Sequence, residues 1–394
     1  MSADSILVLT FWIGCGAALY EYVGFPAIAA LLARIKGPGK ASVGGGEAEA
    51  SLTVIIPAYN EQDSIEAKIR NVLAADYPRE LLDIVVVSDA STDRTDEIAR
   101  SFEAQGVRLI VQETRRGKTA GLNRAIELAR GEIVVFTDAN AMYPRDTIGR
   151  LVRHFDRPET GLVTGYTRYV VGDKGEIAEA TNAYTSLERL LKTAESRWGS
   201  CVGADGAIFA VRRSLYRPLR DDDINDFVIP LSVIDQGYRC VFAADAFCSE
   251  SPGKRLDSEF RRQARITNRT LRALWRNAHL LNPARFGLFS FFLFSHRVVR
   301  FLAPVLLTLS AVSLALLARA GTLSRLASLG VVAVVAVAAF LHYRPGAARG
   351  WPSLARFCSL IKIFVTINVA VLEGWRKFLR GRHDVMWQHD RSGG

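Results

Sequence analysis

The strongest constraint on the fold is an alternation of apolar runs and amphipathic stretches between residues 51 and 140. The amphipathic stretches end at helix breakers such as Pro78 and Gly106. Strands that alternate with helices predict a parallel sheet covered by helices on both faces. The four apolar runs end in the polar clusters PAYNE, SDASTD, ETRRGK and TDAN. Because ligands bind beyond the carboxyl ends of parallel strands, the alternation predicts a nucleotide site at one edge of the sheet.

The first two clusters contain aromatic and acidic side chains that suit a nucleoside. Tyr59 could stack on a base or bond to it, although Asn60 and Glu61 suit the start of the next helix equally well. Asp89 could accept a hydrogen bond from uracil or from a ribose hydroxyl. Asp93 is interpreted as an N-terminal cap of the helix that follows, because aspartate is a preferred capping residue.

The third and fourth clusters suit a diphosphate and a metal ion. Lys118 follows Gly117 just before a helix, where its charge and the backbone donors would bind a diphosphate. A solvated basic loop is the alternative. Asp138 supplies a carboxylate and Asn140 a neutral carbonyl, and Mg²⁺ or Mn²⁺ prefers such oxygen ligands. An ordinary Asx turn is the alternative at these two residues.

Residues 203–276 contain candidates for the acceptor side and for catalysis. The stretch GADGAIFAVRR predicts a turn, with Asp205 and Gly206, ahead of a short strand, and this turn could line an acceptor pocket. Asp226 starts an apolar helix and is the candidate general base, with helix capping as the competing role. Arginines cover one face of the helix predicted at residues 259–276. They suit anionic lipid headgroups or a departing nucleotide diphosphate.

Apolar segments flank this polar region on both sides. Residues 6–35 form a run long enough to cross a bilayer, which needs about 20 residues. An interfacial helix interrupted by His296 and by neighbouring arginines is predicted after residue 286. The remaining predicted elements are spans over 301–318 and 326–343, and a re-entrant or interfacial segment over 357–372.

Composition excludes several classes of protein. The five cysteines are scattered without CxxC spacing, which argues against a disulfide framework or a zinc site and favours a reducing compartment. The formal net charge is +10, but the basic residues are not gathered into one tract. The arginines near the apolar segments lack the interleaved aromatic residues of a base-stacking surface, so no nucleic-acid partner is expected.

The order of these clusters resembles the family 2 glycosyltransferases, and among them the membrane-integrated polysaccharide synthases of the cellulose, hyaluronan and poly-N-acetylglucosamine type. The matching pieces lie within residues 52–275, in the order of the family and ahead of apolar segments. The resemblance implies an α/β GT-A (Rossmann-like) fold and inverting transfer from a nucleotide sugar, with a UDP-sugar favoured and a divalent cation as cofactor. It also implies a glycan or lipid-linked acceptor, and a protein of the bacterial plasma membrane with a cytoplasmic catalytic domain.

The resemblance assigns roles residue by residue. Asp226 takes the position of the catalytic base, and Asp138 with Asn140 takes the DxD position at the metal. Asp205 and Gly206 fall on the acceptor side. The residues assigned to donor binding are Pro57, Tyr59, Glu61, Asp89, Lys118, Asn123, Asp138, Arg262 and Arg265.

The chain departs from the family pattern at several positions. Ser88 replaces the first aspartate of a DD turn, Asn140 the second aspartate of DxD, and Asn225 the glutamate of an ED pair. Ile266 replaces the tryptophan expected to form an acceptor platform. These departures leave three hypotheses open, namely a processive synthase, a single-transfer enzyme acting on a lipid-linked acceptor, and a catalytically weak sugar-nucleotide sensor or scaffold.

The predicted organisation follows from the patterning and the resemblance. The catalytic domain lies between a linker and a block of apolar helices. The predicted parts are a transmembrane helix over 1–36, a linker over 37–50, a cytoplasmic GT-A domain over 51–280, interfacial and transmembrane helices over 281–375, and a basic tail over 376–394.

Overall fold

The computed structural model of the chain describes residues 2–37, 50–170, 176–250, 256–318 and 352–383. The predicted span at 326–343, most of the predicted linker and the end of the predicted basic tail lie outside the described residues. A seven-stranded sheet forms the centre of the polar region.

The strands of the sheet lie in the order β3-β2-β1-β4-β6-β5-β7. Their bounds are β1 Leu52–Ala58, β2 Leu82–Ser88, β3 Val107–Val111, β4 Ile133–Thr137, β5 Thr160–Tyr169, β6 Ile208–Arg212 and β7 Arg239–Glu250. Strands β1 to β4 pair in parallel, as the alternating pattern predicts. Strand β6 is antiparallel to both of its neighbours, so the sheet is mixed rather than wholly parallel.

The reversed direction of β6 has a consequence for the site. An antiparallel strand begins at the edge where its parallel neighbours end. The turn ahead of Ile208 therefore lies at the same edge as the residues that follow Thr137 of β4 and Tyr169 of β5. This arrangement brings the GADGA turn to the polar strand ends.

The helices cover the sheet and extend beyond it. Their bounds are α1 Ala3–Leu19, α2 Phe25–Ile35, α3 Ile65–Leu73, α4 Thr95–Arg100, α5 Lys118–Leu128, α6 Thr147–Val152, α7 Glu176–Trp198, α8 Asn225–Asp235, α9 Leu256–Arg276, α10 Pro283–Phe286, α11 Leu288–Leu293, α12 Arg300–Leu317 and α13 Pro352–Leu379. Two π-helical segments continue the helical path, Tyr20–Gly24 between α1 and α2 and Phe294–Val299 between α11 and α12.

Strand β1 shows how the sheet is buried on both faces. Val54 and Ile56 belong to a buried cluster that includes Ile69 of α3. Ile55, on the opposite face, belongs to a second buried cluster that includes Leu122 of α5. Alternate residues of a strand point to opposite faces, so a continuous apolar run is the expected sequence for a strand covered by helices on both sides.

Two continuous helical stretches, Ala3–Ile35 and Leu288–Leu317, are long and apolar enough to cross a membrane by length and composition. The first lies where the sequence predicts an anchor. The second joins the predicted interfacial helix to the predicted span, which we expected to be separate elements. The two elements are continuous because the polar side chain of His296 is paired inside the protein, where its Nδ1 lies 2.6 Å from Glu195 Oε1 of α7. The helix therefore continues past this polar side chain through a π-helical turn.

Close packing of α1 on α12 predicts a stability effect at Gly14. A Cβ atom there would collide with Ser310 Oγ and with the main chain of Leu306. We expect Gly14→Ala to lower the free energy of unfolding by about 1–3 kcal/mol, the usual range for overpacking. Thermal unfolding in detergent micelles measures the change. Gly16→Ala is the matched control, because no atom lies within 4 Å of its Cβ position. An equal loss in both variants would contradict the packing argument.

Helix α13 packs along the basic helix α9. The Cβ position of Gly374 lies 2.5 Å from Thr267 Cβ, so only glycine allows the two helices to approach this closely. Trp375 Nε1 donates a hydrogen bond to the Phe301 carbonyl at 2.8 Å. The segment predicted at 357–372 and the predicted boundary after Trp375 both fall within this single helix. Helix α13 therefore joins the basic helix to the start of α12.

Candidate active site

A cavity of about 200 Å³ lies at the edge of the sheet where the polar strand ends meet. Residues from the ends of β4, β5 and β7, from the turn ahead of β6 and from α9 line it. The predicted site residues in its lining are Lys118, Asp138, Asp205, Gly206, Asp226, Arg262 and Arg265. The structure thus brings residues from five separate sequence clusters to one cavity.

Lys118 and Asp138 form an ion pair at this cavity, with Lys118 Nζ 2.6 Å from Asp138 Oδ1. Lys118 is the first residue of α5, and Asp138 follows the last residue of β4. Gly117 precedes the helix with a φ of +89°, a conformation that favours glycine. The two clusters that the sequence assigns to the diphosphate and the metal are therefore adjacent.

Asp226 lies in the first turn of α8 and lines the cavity. Burial raises the pKa of Asp226, while Lys118 and Arg297 oppose the shift by favouring the anion. A Cβ atom at Gly206 would lie 2.9 Å from Asp226 Oδ2, so a side chain at position 206 would displace the carboxylate. No hydrogen bond from a described residue engages this carboxylate, which leaves it available to accept a proton.

Asp205 holds the turn ahead of β6 against β5. Its Oδ2 accepts a hydrogen bond from the Thr167 amide at 2.8 Å, and its Oδ1 accepts one from the Thr167 hydroxyl at 2.9 Å. Its own amide donates to Thr164 Oγ1 at 2.8 Å. Both carboxylate oxygens are thus engaged with β5, and Asp205 positions the neighbouring Gly206 beside Asp226.

Glu250 also lines the cavity but is not among the site residues predicted from the sequence. It is the last residue of β7, and burial together with Asp138 and Asp205 raises its pKa to about 8. Its Oε1 is buried and has no hydrogen-bond partner among the described residues. The sequence contained a signal for Glu250, because the rule that polar strand ends meet at one edge of the sheet applies to β7 as well. No strand was predicted from the sequence where β7 lies, so its polar end was not considered.

A smaller pocket lies beside the main cavity, at the ends of β1 and β2. It is lined by Pro57, Ala58, Val87, Asp89, Gln112, Gly117, Lys118 and Gly121. Asp89 accepts hydrogen bonds from the Gly117 amide at 2.9 Å and from Gln112 Nε2 at 2.8 Å. The Arg115 guanidinium lies 3.7 Å from the centre of the Tyr59 ring. Asp89 therefore holds the loop ahead of α5, and Arg115 covers the aromatic face predicted to stack on a base.

Four predicted site residues lie outside the lining of both pockets, and Tyr59, beneath Arg115, is the first of them. Glu61 is buried and accepts a hydrogen bond from the Ser64 hydroxyl at 2.5 Å near the start of α3, which is the structural alternative stated for it. Asn123 accepts a hydrogen bond from the Tyr216 hydroxyl at 2.7 Å. Asn140 is the fourth. The structure does not bring these four residues into the lining of either pocket.

The placement of Asn140 follows from the turn after β4. In a strand, residues i and i+2 share a face, so Asp138 and Asn140 would point the same way if β4 continued. The strand ends at Thr137 instead, and the Ala141 amide donates to the Asp138 carbonyl at 3.2 Å. Ala139, between the two, is buried. The turn therefore separates the two side chains that the DxD pattern places together.

Helix α9 closes one side of the cavity with Arg262, Arg265 and Ile266. Arg269, the next residue on this face, donates to the Asp222 carbonyl at 3.1 Å. The acidic run ahead of α8 is thereby tied to the basic helix. Arg262 and Arg265 thus line the same cavity as Lys118 and Asp226.

Comparison with known proteins identifies the domain. Residues 53–220 match the family described as Glycosyl transferase family 2. The chain is 28% identical over 139 residues to Glycosyltransferase AglE of Haloferax volcanii, covering 35% of this chain and 46% of that protein. It is 27% identical over 205 residues to a Poly-beta-1,6-N-acetyl-D-glucosamine synthase of Staphylococcus aureus, covering 50% of this chain and 49% of that protein. The chain thus spans about half the length of the curated relatives it matches.

A solved structure resembles the chain over most of its length. It is the mannosyltransferase PcManGT from Pyrobaculum calidifontis in complex with GDP-Man and Mn²⁺. The TM-score is 0.72 at 25% identity, and the match covers 95% of this chain and 100% of that chain. The chain therefore contains a glycosyltransferase family 2 domain built on a mixed α/β sheet of the GT-A type.

Proposed function

We propose that the chain is a membrane-bound inverting glycosyltransferase that transfers a sugar from a nucleotide sugar to an acceptor hydroxyl. The observation that carries this proposal is one cavity that holds the available carboxylate of Asp226 and the Lys118–Asp138 ion pair. In-line displacement at an anomeric carbon needs a base at the attacking hydroxyl and positive charge at the leaving diphosphate. The cavity contains groups for both tasks.

In the proposed reaction, Asp226 accepts the proton of the acceptor hydroxyl. The hydroxyl oxygen then forms a bond to the anomeric carbon as the bond to the diphosphate oxygen breaks, and attack from the opposite side inverts the configuration. Lys118 offsets the negative charge of the diphosphate, with Arg262 and Arg265 at the other side of the cavity. The nucleoside diphosphate leaves as the second product.

The cavity residues fit a divalent cation such as Mg²⁺ or Mn²⁺. Glu250 presents a buried oxygen without a hydrogen-bond partner among the described residues, and Asp138 is close enough to raise the pKa of Glu250. Two carboxylates suit a hard cation that takes its remaining ligands from phosphate oxygens and water. The described residues contain no cluster of three or more His, Cys, Asp or Glu side chains that could hold a metal by themselves. A bound cation would supply positive charge to the diphosphate.

Glu250 and Asn140 offer a direct comparison of the two candidates for the second metal ligand. We expect Glu250→Gln to weaken Mn²⁺ binding roughly tenfold, because the amide cannot lose a proton to give the charged oxygen that attracts the cation. Asn140→Asp is expected to leave metal affinity and preference unchanged, since Asn140 does not line the cavity. Calorimetric titration of Mn²⁺ in the presence of a nucleoside diphosphate measures both. Tighter binding by Asn140→Asp with no effect of Glu250→Gln would assign the role to Asn140, as the DxD resemblance implies.

The donor is proposed to be a UDP-sugar or a GDP-sugar. The sequence resemblance favours UDP, whereas PcManGT was solved with GDP-Man. Uracil and guanine each present a ring N–H. A carboxylate such as Asp89 can accept a hydrogen bond from this donor. Binding would require Arg115 to leave the Tyr59 face, or to share it with the base.

A panel of radiolabelled UDP- and GDP-sugars, offered to the purified full-length protein with and without Mn²⁺ or Mg²⁺, tests the proposed function. Metal-dependent transfer of label from one donor to lipid or glycan is the expected result. Binding of a donor without transfer or hydrolysis would overturn the proposal in favour of the sensor hypothesis.

The size of the labelled product identifies the acceptor class. Similarity to a poly-N-acetylglucosamine synthase favours a polymer. Ile266 lines the cavity where the family has a tryptophan. It favours a single transfer to a lipid-linked acceptor, because the side chain at position 266 has no aromatic ring to stack on a sugar. A ladder on a gel would indicate a synthase, and a single added sugar would indicate the alternative.

Membrane attachment is part of the proposal. The stretch Ala3–Ile35 exposes large apolar side chains, including Trp12 at 65% and Leu19 at 63%. Apolar surface of this kind is typical of a lipid-facing helix. Basic residues at the end of α13, from Arg376 to Arg382, favour a cytoplasmic position for that end and for the catalytic domain.

A further inference from the structure

Arg297, on the π-helical segment of the second apolar stretch, extends to the turn beside the candidate base. A Cβ atom at Gly203 would lie 3.0 Å from Arg297 Nη2 and 3.6 Å from the Asp226 carbonyl oxygen. The guanidinium and the main chain of Asp226 therefore both lie close to Gly203. The guanidinium also lies 5.5 Å from the centre of the Phe227 ring. A residue of the apolar stretch thus reaches the segment that carries the base.

The neighbouring His296 anchors the same turn through α7. Its Nδ1 lies 2.6 Å from Glu195 Oε1, and Glu195 Oε2 accepts a hydrogen bond from the Val202 amide at 3.1 Å. Two residues further on, the Ala204 amide donates to the Asp226 carbonyl at 2.7 Å. The π-helical segment is therefore linked to the turn at Val202 through Glu195 and lies close to it at Gly203, and the turn is bonded to the main chain of Asp226.

Arg297 forms no ion pair with any of the residues that the structure describes. Its Nε is buried without a hydrogen-bond partner there. By contrast, Arg300, one turn further along, pairs with Glu188 at 2.7 Å. An unneutralised cation next to a buried carboxylate stabilises the ionised form of that carboxylate. The charged groups that act on Asp226 are Lys118 of α5, Arg297, Asp205 ahead of β6 and Asp138 after β4.

We propose that Arg297 is a positioning residue for the transfer reaction, which holds the Val202–Ala204 turn beneath Asp226 and supplies positive charge that keeps the Asp226 carboxylate ionised. The inference rests on the proposed function, because it assumes that Asp226 is the base. It makes the second apolar stretch a contributor to catalysis as well as a membrane segment. The two cations that favour the Asp226 anion then come from different parts of the fold, Lys118 from the sheet edge and Arg297 from the apolar stretch.

The test is the pH dependence of kcat/KM for the full-length protein in detergent or nanodiscs. In the wild-type protein, kcat/KM falls as pH drops through the pKa of the base. In Arg297→Met we expect this acidic limb to move to higher pH by about one unit. At a pH below the limb, kcat/KM then falls about tenfold. The rate at high pH is expected to return close to the wild-type value. A variant that only disturbs packing loses rate at every pH, so recovery at high pH separates the two roles.

Further variants make the result specific. Arg300→Met removes a cation from the same helix and is expected to leave the limb in place. Arg297→Lys keeps a positive charge and is expected to retain most of the wild-type limb, and Arg297→Gln gives a second neutral variant if methionine impairs folding. An unshifted limb or a uniform loss of rate in the neutral variants would overturn the inference. If Asp226→Asn retains transfer, the proposed base itself fails, which is a separate and distinguishable outcome.

Discussion

Asp226→Asn is expected to reduce sugar transfer by roughly 10²–10⁴-fold, the usual contribution of a positioned general base. Asparagine has nearly the same shape as aspartate, so the contact with Gly206 and the hydrogen bond from the Ala204 amide to the main chain can remain. The variant cannot accept a proton from the acceptor hydroxyl. Donor binding is expected to persist, because the proposed contacts to the diphosphate come from Lys118 and the α9 arginines rather than from Asp226. Single-turnover transfer and nucleotide binding, measured side by side, separate the two effects.

The matched control is Asp235→Asn, at the other end of the same helix. Asp235 is exposed and lies 3.1 Å from His279 Nε2, away from the cavity. The same chemical change is expected to leave transfer unaffected there. Since burial raises the pKa of Asp226 and only its anion accepts a proton, wild-type kcat/KM should rise with pH through that pKa. Unimpaired single-turnover transfer by Asp226→Asn would remove Asp226 from the mechanism.

Asp138→Asn is expected to weaken metal-dependent donor binding by roughly 10²-fold, since removal of one partner of a charge pair at a binding site costs about 2–5 kcal/mol. The substitution removes the proposed anionic oxygen ligand and also leaves Lys118, now 2.6 Å from Asp138, without its ion-pair partner. The effect should therefore be largest with Mn²⁺ present. Titration of a nucleoside diphosphate with and without Mn²⁺ measures the loss.

Asp146→Asn tests whether the effect of Asp138→Asn is specific to the cavity. Asp146 lies shortly after the same strand and pairs with Arg150 on the surface. It does not line the cavity, so donor affinity is expected to stay at the wild-type value. Equal losses in the two variants would point to a general effect of charge, and no loss in Asp138→Asn would exclude Asp138 from the donor site.

The site residues that could be predicted from the sequence lie at strand ends and helix starts. Lys118, Asp138 and Asp226 each lie directly beside a β-strand or in the first turn of a helix. Hydrophobic periodicity locates such positions, and parallel pairing aligns the ends of the strands. Their meeting in one cavity was predictable because it depends on connectivity more than on the details of packing.

The residues whose positions were not predicted from the sequence are fixed by contacts between distant segments. Glu250 was missed because no strand was predicted where β7 lies, and the pairing of β7 with β5 carries Glu250 to the edge of the sheet. Asn123 matches a donor-binding motif, yet it bonds to Tyr216, far along the chain. Asn140 leaves the cavity because the chain turns immediately after β4. Local patterns do not contain these contacts.

The amino-acid sequence by itself determined the alternating strands and helices, the polar strand ends and the apolar flanks, because each rests on periodicity or length within about 20 residues. Only the tertiary structure decided three other features. β6 runs antiparallel and delivers the Asp205 turn, the second apolar stretch continues through Phe294–Val299, and Arg297 reaches Gly203 beside Asp226. These features depend on which distant segments pack together, since the energy of a buried polar group is set by partners that the local sequence does not specify.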